Sequence, residues 1–375
     1  LPVIADRGRI AQASGRQSKN NSLLWILKMK RKNSRETFSL HTILHLLILL
    51  AGNTLSGPIL GSTVFICLPA TITGCSVPDA DMTGTTSRTT MRIMENSTTQ
   101  SCGLTTLDIL IFNDDQLQRL DTYQQLKPAS CATVKAASGS GEKIFSLIAN
   151  SRRERRDWAF INSREALLEE YSMIEEERRG NLTMSGEWKG KAGSSSNVTI
   201  SRICSEIVLR SICCDMKDGS RMTNARVYLT NVCAEAPLIP NGMDIPRRII
   251  NAGRLNVDET ASLAEPDMLL QEIPSEIGRQ RIYPDIRLLC YPNEVETEGA
   301  GSPFTRLVIE GEIDGRKYYW PLNINRNNGG NGIERNKQYI YDITIRKPGH
   351  DDPDIPIEPM DMEIKTEVKE WEERE

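Results

Sequence analysis

The sequence predicts an all-β protein with one or two short helices, arranged as β-sandwiches. Short apolar or alternating runs recur along the chain, separated by turn-forming residues. One pair of runs, 306–313 and 317–324, is joined through Asp314 and Gly315, a dipeptide typical of tight hairpin turns. Only the segment 163–180 has clear helical spacing. Many short strands with one helix are the pattern of sandwich folds.

The first half of the predicted fold opens with a hairpin. Residues 107–112 form a β-rich run, a polar turn follows, and residues 117–123 return. Residues 144–149 repeat the strand character. A helix is then predicted to begin after Ser163, a good N-cap residue, and to end near Gly180. We expect this helix to cover an open sheet face.

From residue 198 onward the chain returns to β-rich sequence, and the length of the chain favours a second domain. Strands are predicted at 198–209 and 226–232 before the predicted boundary, and at 286–291 and 339–345 after it. The stretch that begins at Ala236 is rich in proline and glycine. Because about 300 residues exceed what one core usually serves, we predict two domains, 75–236 and 237–375.

The clearest alternation in the chain lies near its C-terminus. Met360, Met362, Ile364 and Val368 alternate with charged residues. A strand has a side-chain period of two, so the strand predicted at 360–370 has one apolar and one charged face. Two interpretations stay open: a final edge strand of the second sandwich, or a donor strand that completes the sheet of a neighbouring subunit.

An export signal is predicted where a long apolar stretch ends at Ile72, Thr73, Gly74 and Cys75. A small residue before a cysteine, with an aliphatic residue three positions upstream, is the pattern that bacterial lipoprotein signal peptidase recognises. We predict that Ile72, Thr73 and Gly74 form the recognition sequence and that Cys75 carries the lipid. The alternative is a cysteine that is simply buried among apolar residues.

Residues 1–74 have the layout of a leader. A basic segment precedes the apolar runs 40–51 and 58–72. Neither run reaches the roughly 18–20 residues that span a membrane, so a transmembrane anchor is not favoured. The chain begins with leucine. We therefore treat residues 1–28 as a candidate extension of the reading frame, with Met29 or a later codon as the start.

The charge distribution argues against a nucleic-acid partner. Residues 1–74 hold nine Lys or Arg and two acidic residues, a net charge of +7. Because the whole chain carries −4, residues 75–375 carry −11. An acidic surface repels phosphate backbones. The balance instead fits a protein displayed at the cell surface.

Cysteine and histidine usage exclude several kinds of chemistry. Beyond Cys75 there are seven cysteines without a Cys-x-x-Cys pair, and a single histidine, His350, in a loop rich in Pro and Asp. A zinc site needs a cluster of Cys or His ligands, and histidine-dependent catalysis needs an imidazole in a structured pocket. We predict no catalytic residue, no metal, no cofactor and no enzyme activity; disulfides are allowed in an oxidising compartment but not predicted.

Several short motifs, taken in their order, carry a resemblance to a known family. They are the runs 107–115, 182–186, 201–209 and 227–232 and the closing segment 335–371. In this order they resemble fimbrillins, the subunits of type V pili. The resemblance covers most of the chain after the predicted lipidation site.

The resemblance implies two transthyretin-like Greek-key β-sandwich domains in a lipoprotein precursor carried to the cell outer membrane. It implies strand addition between fimbrial subunits, which builds a cell-surface fimbrium for adhesion. In shaft subunits a protease that cuts after an arginine removes the lipidated first strand. Arg88 and Arg92 are the candidates here, within a segment, 76–101, that we expect to be a tether or a poorly packed first strand.

Other roles stay open beside the shaft role. Anchor subunits of such pili keep the lipid and the first strand, and a tip role is also compatible with the sequence. A host or bacterial surface receptor is a further candidate partner. The aromatic cluster 318–320 with Trp188 raises the alternative of a glycan-binding surface lipoprotein, and Glu310 with Glu312 the remoter one of a hydrolase.

Overall fold

The computed structural model describes residues 86–95, 104–127, 133–242, 247–299, 301–326, 329–356 and 361–371. These ranges contain nineteen strands and two short α-helices, which confirms the all-β prediction. The strands are β1 (Ser87–Glu95), β2 (Leu107–Asn113), β3 (Leu120–Leu126), β4 (Thr133–Ser138), β5 (Glu142–Ala149), β6 (Tyr171–Met173), β7 (Met184–Lys191), β8 (Ser195–Arg202), β9 (Ser205–Cys214), β10 (Thr223–Thr230), β11 (Val232–Cys233), β12 (Glu235–Pro237), β13 (Ile249–Ile250), β14 (Leu270–Ile273), β15 (Ile286–Cys290), β16 (Arg306–Ile313), β17 (Arg316–Asn323), β18 (Lys337–Ile345) and β19 (Met362–Glu370). The helices are α1 (Arg164–Leu168) and α2 (Val257–Ala261).

The first sandwich is one seven-stranded sheet that folds over on itself. Its strand order is β3-β2-β5-β7-β8-β1-β4, and β7 pairs with β8 only at Met184 and Ser185. Gly186 lies at this crossing because a Cβ there would be 2.1 Å from the carbonyl oxygen of Thr199. Both halves contribute to one apolar core. Its members include Met91, Ile93, Ile109, Phe145, Leu147, Val198 and Ile200.

The second sandwich consists of two four-stranded sheets, β14-β10-β16-β17 and β15-β9-β18-β19. Their inward side chains share a core, to which Val227, Ile309 and Ile343 belong. Asp314 and Gly315 join β16 to β17 with positive φ angles of 51° and 75°. Two positive φ angles are what a two-residue hairpin turn matched to the strand twist requires, so the predicted hairpin is confirmed.

Strand pairing corrects the predicted boundary between Ala236 and Pro237. Strands β9 and β10 precede it, yet β9 pairs with β15 and β18, and β10 pairs with β14 and β16. A cut at that point would divide both sheets of the second sandwich. The change of sandwich occurs instead at Ile203 and Cys204, inside the run 198–209 that was predicted as one strand region. The proline-rich stretch begins in β12, which pairs with β6, and continues without a strand to Gly242.

The predicted helix begins where expected but ends early. The Ser163 side chain accepts a hydrogen bond from the backbone N–H of Ala166, which confirms the N-cap. Helix α1 ends at Leu168, however, and β6 follows in extended conformation because it pairs with β12. The helical spacing from Glu170 onward is therefore misleading, since long-range strand pairing overrides the local pattern.

Candidate functional site

Part of the predicted site lies outside the described residues. This applies to Ile72, Thr73, Gly74 and Cys75, the predicted lipidation signal, and to Met360 at the start of the predicted donor strand. In the described ranges, no helix combines the length and apolar character needed to cross a membrane. The described part of the site consists of two strands, β1 and β19, the first and last strands of the described fold.

Strand β1 lies inside its sheet. It pairs antiparallel with β4 on one side and parallel with β8 on the other. Thr89, Met91 and Ile93 face the core and are at most 2% exposed. Arg88 and Arg92, the candidate cleavage residues, both lie on the opposite face and are exposed. The expectation of a tether or poorly packed strand is therefore wrong for this part of the chain.

The neighbours of β1 form an apolar slot around it. Val134 and Ala136 of β4 flank it on one side, and Val198 and Ile200 of β8 on the other, all buried. Ile109 of β2 belongs to the same core from the opposite half of the sandwich. Without β1, the facing edges of β4 and β8 would both lose their ladder partners. Such a slot is complementary to an extended segment with alternating apolar residues.

Strand β19 occupies an edge of its sheet. All nine of its residues pair antiparallel with β18, and β19 is the last strand in the order β15-β9-β18-β19. The predicted apolar face exists, but it is covered only at its beginning: Met362 is buried, Ile364 is half-buried and Val368 is 45% exposed. Within its own chain, β19 is therefore an edge strand, as the first of the two interpretations predicts.

Ion pairs connect the charged face of β19 to the strands beside it. Glu367 lies 2.8 Å from Arg210 of β9, and Glu363 pairs with Arg346 just after β18. The hydrogen bond from Arg346 holds the pKa of Glu363 below its ordinary value. On neighbouring β18, the hydrogen bond from Arg210 likewise lowers the pKa of Asp342. These exposed pairs each contribute little to stability, because water and salt screen them.

Trp371, the residue directly after β19, makes a contact that reaches the first sandwich. Its side chain is 8% exposed and belongs to the apolar core. The guanidinium carbon of Arg202 lies 4.9 Å from the centre of its ring, and Arg202 also donates a hydrogen bond to the Trp371 carbonyl oxygen at 3.3 Å. Arg202 is the last residue of β8. The last strand is thus joined to the strand that flanks β1.

The predicted aromatic cluster does not form one surface. Trp188 packs on Phe145 in the first sandwich, with ring centres 5.0 Å apart. Trp320 is fully buried in the second core, with Tyr318 packed against that core. Tyr319 lies between them on β17 and faces the opposite side, as a strand dictates. The glycan-binding hypothesis therefore loses its original basis.

Glu310 and Glu312, the predicted carboxylate pair, contact different side chains. Glu310 is 4% exposed and lies 2.9 Å from both Arg226 and Lys317, whereas Glu312 accepts a hydrogen bond from Asn224. Glu310 lines a cleft on this sheet, and the lining of that cleft does not include Glu312. The hydrolase alternative, which needs both carboxylates at one site, therefore gains no support from this cleft.

The cysteines of the described ranges offer no reactive site. Cys204, Cys213, Cys214 and Cys290 carry free, buried thiols. Burial raises the pKa of Cys214 to about 11 and raises the pKa of Cys204 and Cys290 as well, so these groups stay protonated at neutral pH. No group of three or more potential metal ligands occurs in the part of the chain that the structure describes.

Solved structures of surface proteins share this fold. A candidate cell adhesion protein of Bacteroides eggerthii superposes with a TM-score of 0.58 at 14% identity, over 77% of this chain and 97% of its own. A candidate cell adhesion protein of Parabacteroides distasonis gives 0.56 at 13% identity, over 76% and 96%. A fimbrilin of Porphyromonas gingivalis gives 0.55 at 13% identity, over 76% and 97%.

Sequence comparison adds no closer relative: no family model and no curated protein matches the chain. At identities of 13–14%, the structural similarity establishes the fold. It confirms, at the level of the fold, the resemblance to fimbrillins that the short motifs indicate. None of the three proteins is named as an enzyme.

Proposed function

We propose that this chain is a structural subunit of a type V fimbria, exported as a lipoprotein through Cys75 and assembled by β-strand addition. The fold shared with a fimbrilin and with two candidate adhesion proteins supports this role. The observation that carries the proposal is the position of β1, an apolar strand held between β4 and β8. Its partners are other fimbrial subunits and, through the lipid, the outer membrane.

The slot around β1 supplies the acceptor in this proposal. Cleavage after Arg92, which is exposed, would separate Ser87–Arg92 from the rest of the chain, whereas cleavage after Arg88 would leave Thr89–Glu95 attached. Loss of Ser87–Arg92 would remove all six β1 partners of β4 and three of the six β1 partners of β8, beside an apolar floor. Unpaired edges are templates for an incoming strand. A subunit that keeps β1 would have no such slot, which fits an anchor role instead.

Strand β19 supplies the candidate donor. It is an edge strand with a single ladder partner, and its apolar row is covered at Met362 but open at Val368. Its alternation of apolar and charged residues suits a slot with one buried face. The same strand in another subunit's slot would bury the row that is exposed here.

Deletion of residues 360–375 tests the donor role. Surface fractions of cells that produce the full chain should show ladders resistant to sodium dodecyl sulfate, and the deletion should abolish them. The matched control replaces Lys365 and Lys369 by alanine, which keeps the apolar row and the backbone. Ladders that persist after the deletion, in a protein that is exported and folded, would overturn the donor role.

N-terminal sequencing and mass spectrometry of the surface form test the processing step. A start at Ile93 is expected for a polymerising shaft subunit, because a start at Thr89 would leave Met91 and Ile93 in place. Replacing both Arg88 and Arg92 by alanine should then block processing, whereas Arg221→Ala, at an exposed arginine of the second sandwich, should not. A surface form that keeps a lipidated Cys75 in a growing fibre would exclude cleavage as the opening step and indicate an anchor subunit.

A further inference from the structure

A polar cleft lies on the outward face of the sheet β14-β10-β16-β17. Its volume is about 730 Å³, within the usual range of ligand sites. Residues of β10, β16 and β17 form the floor, and the loops 252–255 and 351–354 form the walls. Neither β1 nor β19 contributes to it, so the cleft is independent of the surfaces assigned to assembly.

Three side chains form a row across the floor of the cleft. Strand register places Arg226 beside Glu310 and Glu310 beside Tyr319. Arg226 and Lys317 neutralise Glu310, each at 2.9 Å. The buried Nε of Arg226 has no hydrogen-bond partner among the described residues. Burial raises the pKa of nearby Tyr228, which therefore stays protonated.

The walls add carboxylates that are only partly neutralised. Arg306 binds Asp354, and the backbone N–H of Asp354 donates to Asp352 at 2.9 Å, which fixes this loop. Asp351, Asp352 and Arg254 are exposed and make no ion pair within the described ranges. The cleft thus offers both hydrogen-bond acceptors and donors without a strong excess of either charge.

This mixture selects the chemistry of a ligand. An anion would meet the wall carboxylates, and a cation would meet the positive charges of Arg226 and Arg254. A neutral molecule with many hydroxyl groups can donate to the carboxylates and accept from the guanidinium groups at once. The half-buried ring of Tyr319 supplies an apolar surface for the C–H face of a sugar ring.

We propose that this cleft binds a neutral saccharide, with Tyr319 as the stacking surface and Asp351 and Asp352 as acceptors for its hydroxyl groups. Of the aromatic cluster at 318–320, only Tyr319 takes part, because its two neighbours pack toward the core. If the chain assembles as proposed, each subunit of the fibre would carry its own saccharide-binding site.

An array of defined neutral and acidic oligosaccharides, probed with the purified full chain, tests the proposal. The full chain should bind a subset of neutral glycans. Tyr319→Ala and the double variant Asp351→Asn/Asp352→Asn should each lower the affinity for the same glycans by about tenfold or more. Thermal melting verifies that both variants are folded, and unchanged ladders on gels show that assembly is intact.

Matched controls use residues outside the cleft. Tyr283→Ala removes a tyrosine that is 70% exposed, and Glu296→Gln removes an exposed carboxylate; both should bind like the wild type. Three outcomes overturn the proposal: a folded wild type that binds no glycan, equal losses in control and cleft variants, or binding of a lysine-rich peptide probe in the absence of glycan binding.

Discussion

The first and last strands of the described fold differ in how they are held. Strand β1 has a ladder partner on both sides and a face that is at most 2% exposed over Thr89, Met91 and Ile93. Strand β19 has one partner, and its apolar row ends in Val368, 45% exposed. Two backbone ladders and buried apolar side chains in its middle hold the first strand, whereas one ladder and buried apolar side chains at its two ends, Met362 and Trp371, hold the last. Release of the last strand therefore breaks one ladder, and release of the first breaks two.

The largest expected effect is a difference in stability loss between side-chain truncation on β1 and side-chain truncation on β19. Met91→Ala with Ile93→Ala removes two fully buried side chains and should lower the free energy of unfolding by at least about 4 kcal/mol. Ile364→Ala with Val368→Ala on β19 should cost less than about 1.5 kcal/mol, because Ile364 is only half-buried and Val368 is 45% exposed. Urea unfolding of both pairs measures the difference. Similar costs would contradict the contrast in burial.

A smaller effect is expected at Trp371, a buried residue directly after β19. Trp371→Ala removes the ring under Arg202 and should cost about 2–3 kcal/mol, less than a fully enclosed tryptophan because the site borders solvent. Phe160→Ala serves as the control, since that ring is 86% exposed and should change stability by less than about 0.5 kcal/mol. If Trp371→Ala unfolds at the wild-type urea concentration, β19 has no firm attachment at this end.

The smallest effect is a pH dependence confined to β19. The pKa of Glu363 lies below its ordinary 4.5 because Arg346 donates to it. The contribution of Glu363 to stability is therefore present above pH 4.5 and is lost as the pH falls through the lowered pKa. Amide exchange in β19, corrected for intrinsic rates, should accelerate on acidification, and Glu363→Gln should remove part of that dependence.

The first sandwich provides the internal control for that measurement. Burial raises the pKa of Asp108 on β2, so the stability contributed by Asp108 depends on pH in the opposite direction: it is lost as the pH rises. Amides of β1 should therefore keep their protection as the pH is lowered from about 6 to about 4. Equal acceleration in β1 and β19 would show that global unfolding, rather than release of an edge strand, is being observed.

Local pattern predicted strands well and their burial poorly. The alternation at Met362, Ile364 and Val368 correctly predicts a strand, yet position at a sheet edge leaves most of it exposed. The segment around Met91 has little periodicity and still becomes a central strand, because β4 and β8 supply partners from distant sequence. Which strand lies between two others is a property of topology that local spacing does not encode.

The same limit applies to the candidate sites. Arg88 and Arg92 come from what the family resemblance implies, and the structure places both side chains on the exposed face of β1. The row of Arg226, Glu310 and Tyr319 arises from three strands and has no sequence signal except that each residue lies on the polar side of its own strand. Strand register, rather than composition, brings it together.

The contact between Arg202 and Trp371 links the two ends of the described fold thermodynamically. Strand β8 ends at Arg202 and flanks β1, so withdrawal of β19 removes a restraint from the wall of the slot. Linkage is reciprocal: whatever fills the slot and orders β8 also favours the docked state of Trp371, and an empty slot weakens it. Such a subunit would release β19 more readily while its slot is empty than after the slot is filled.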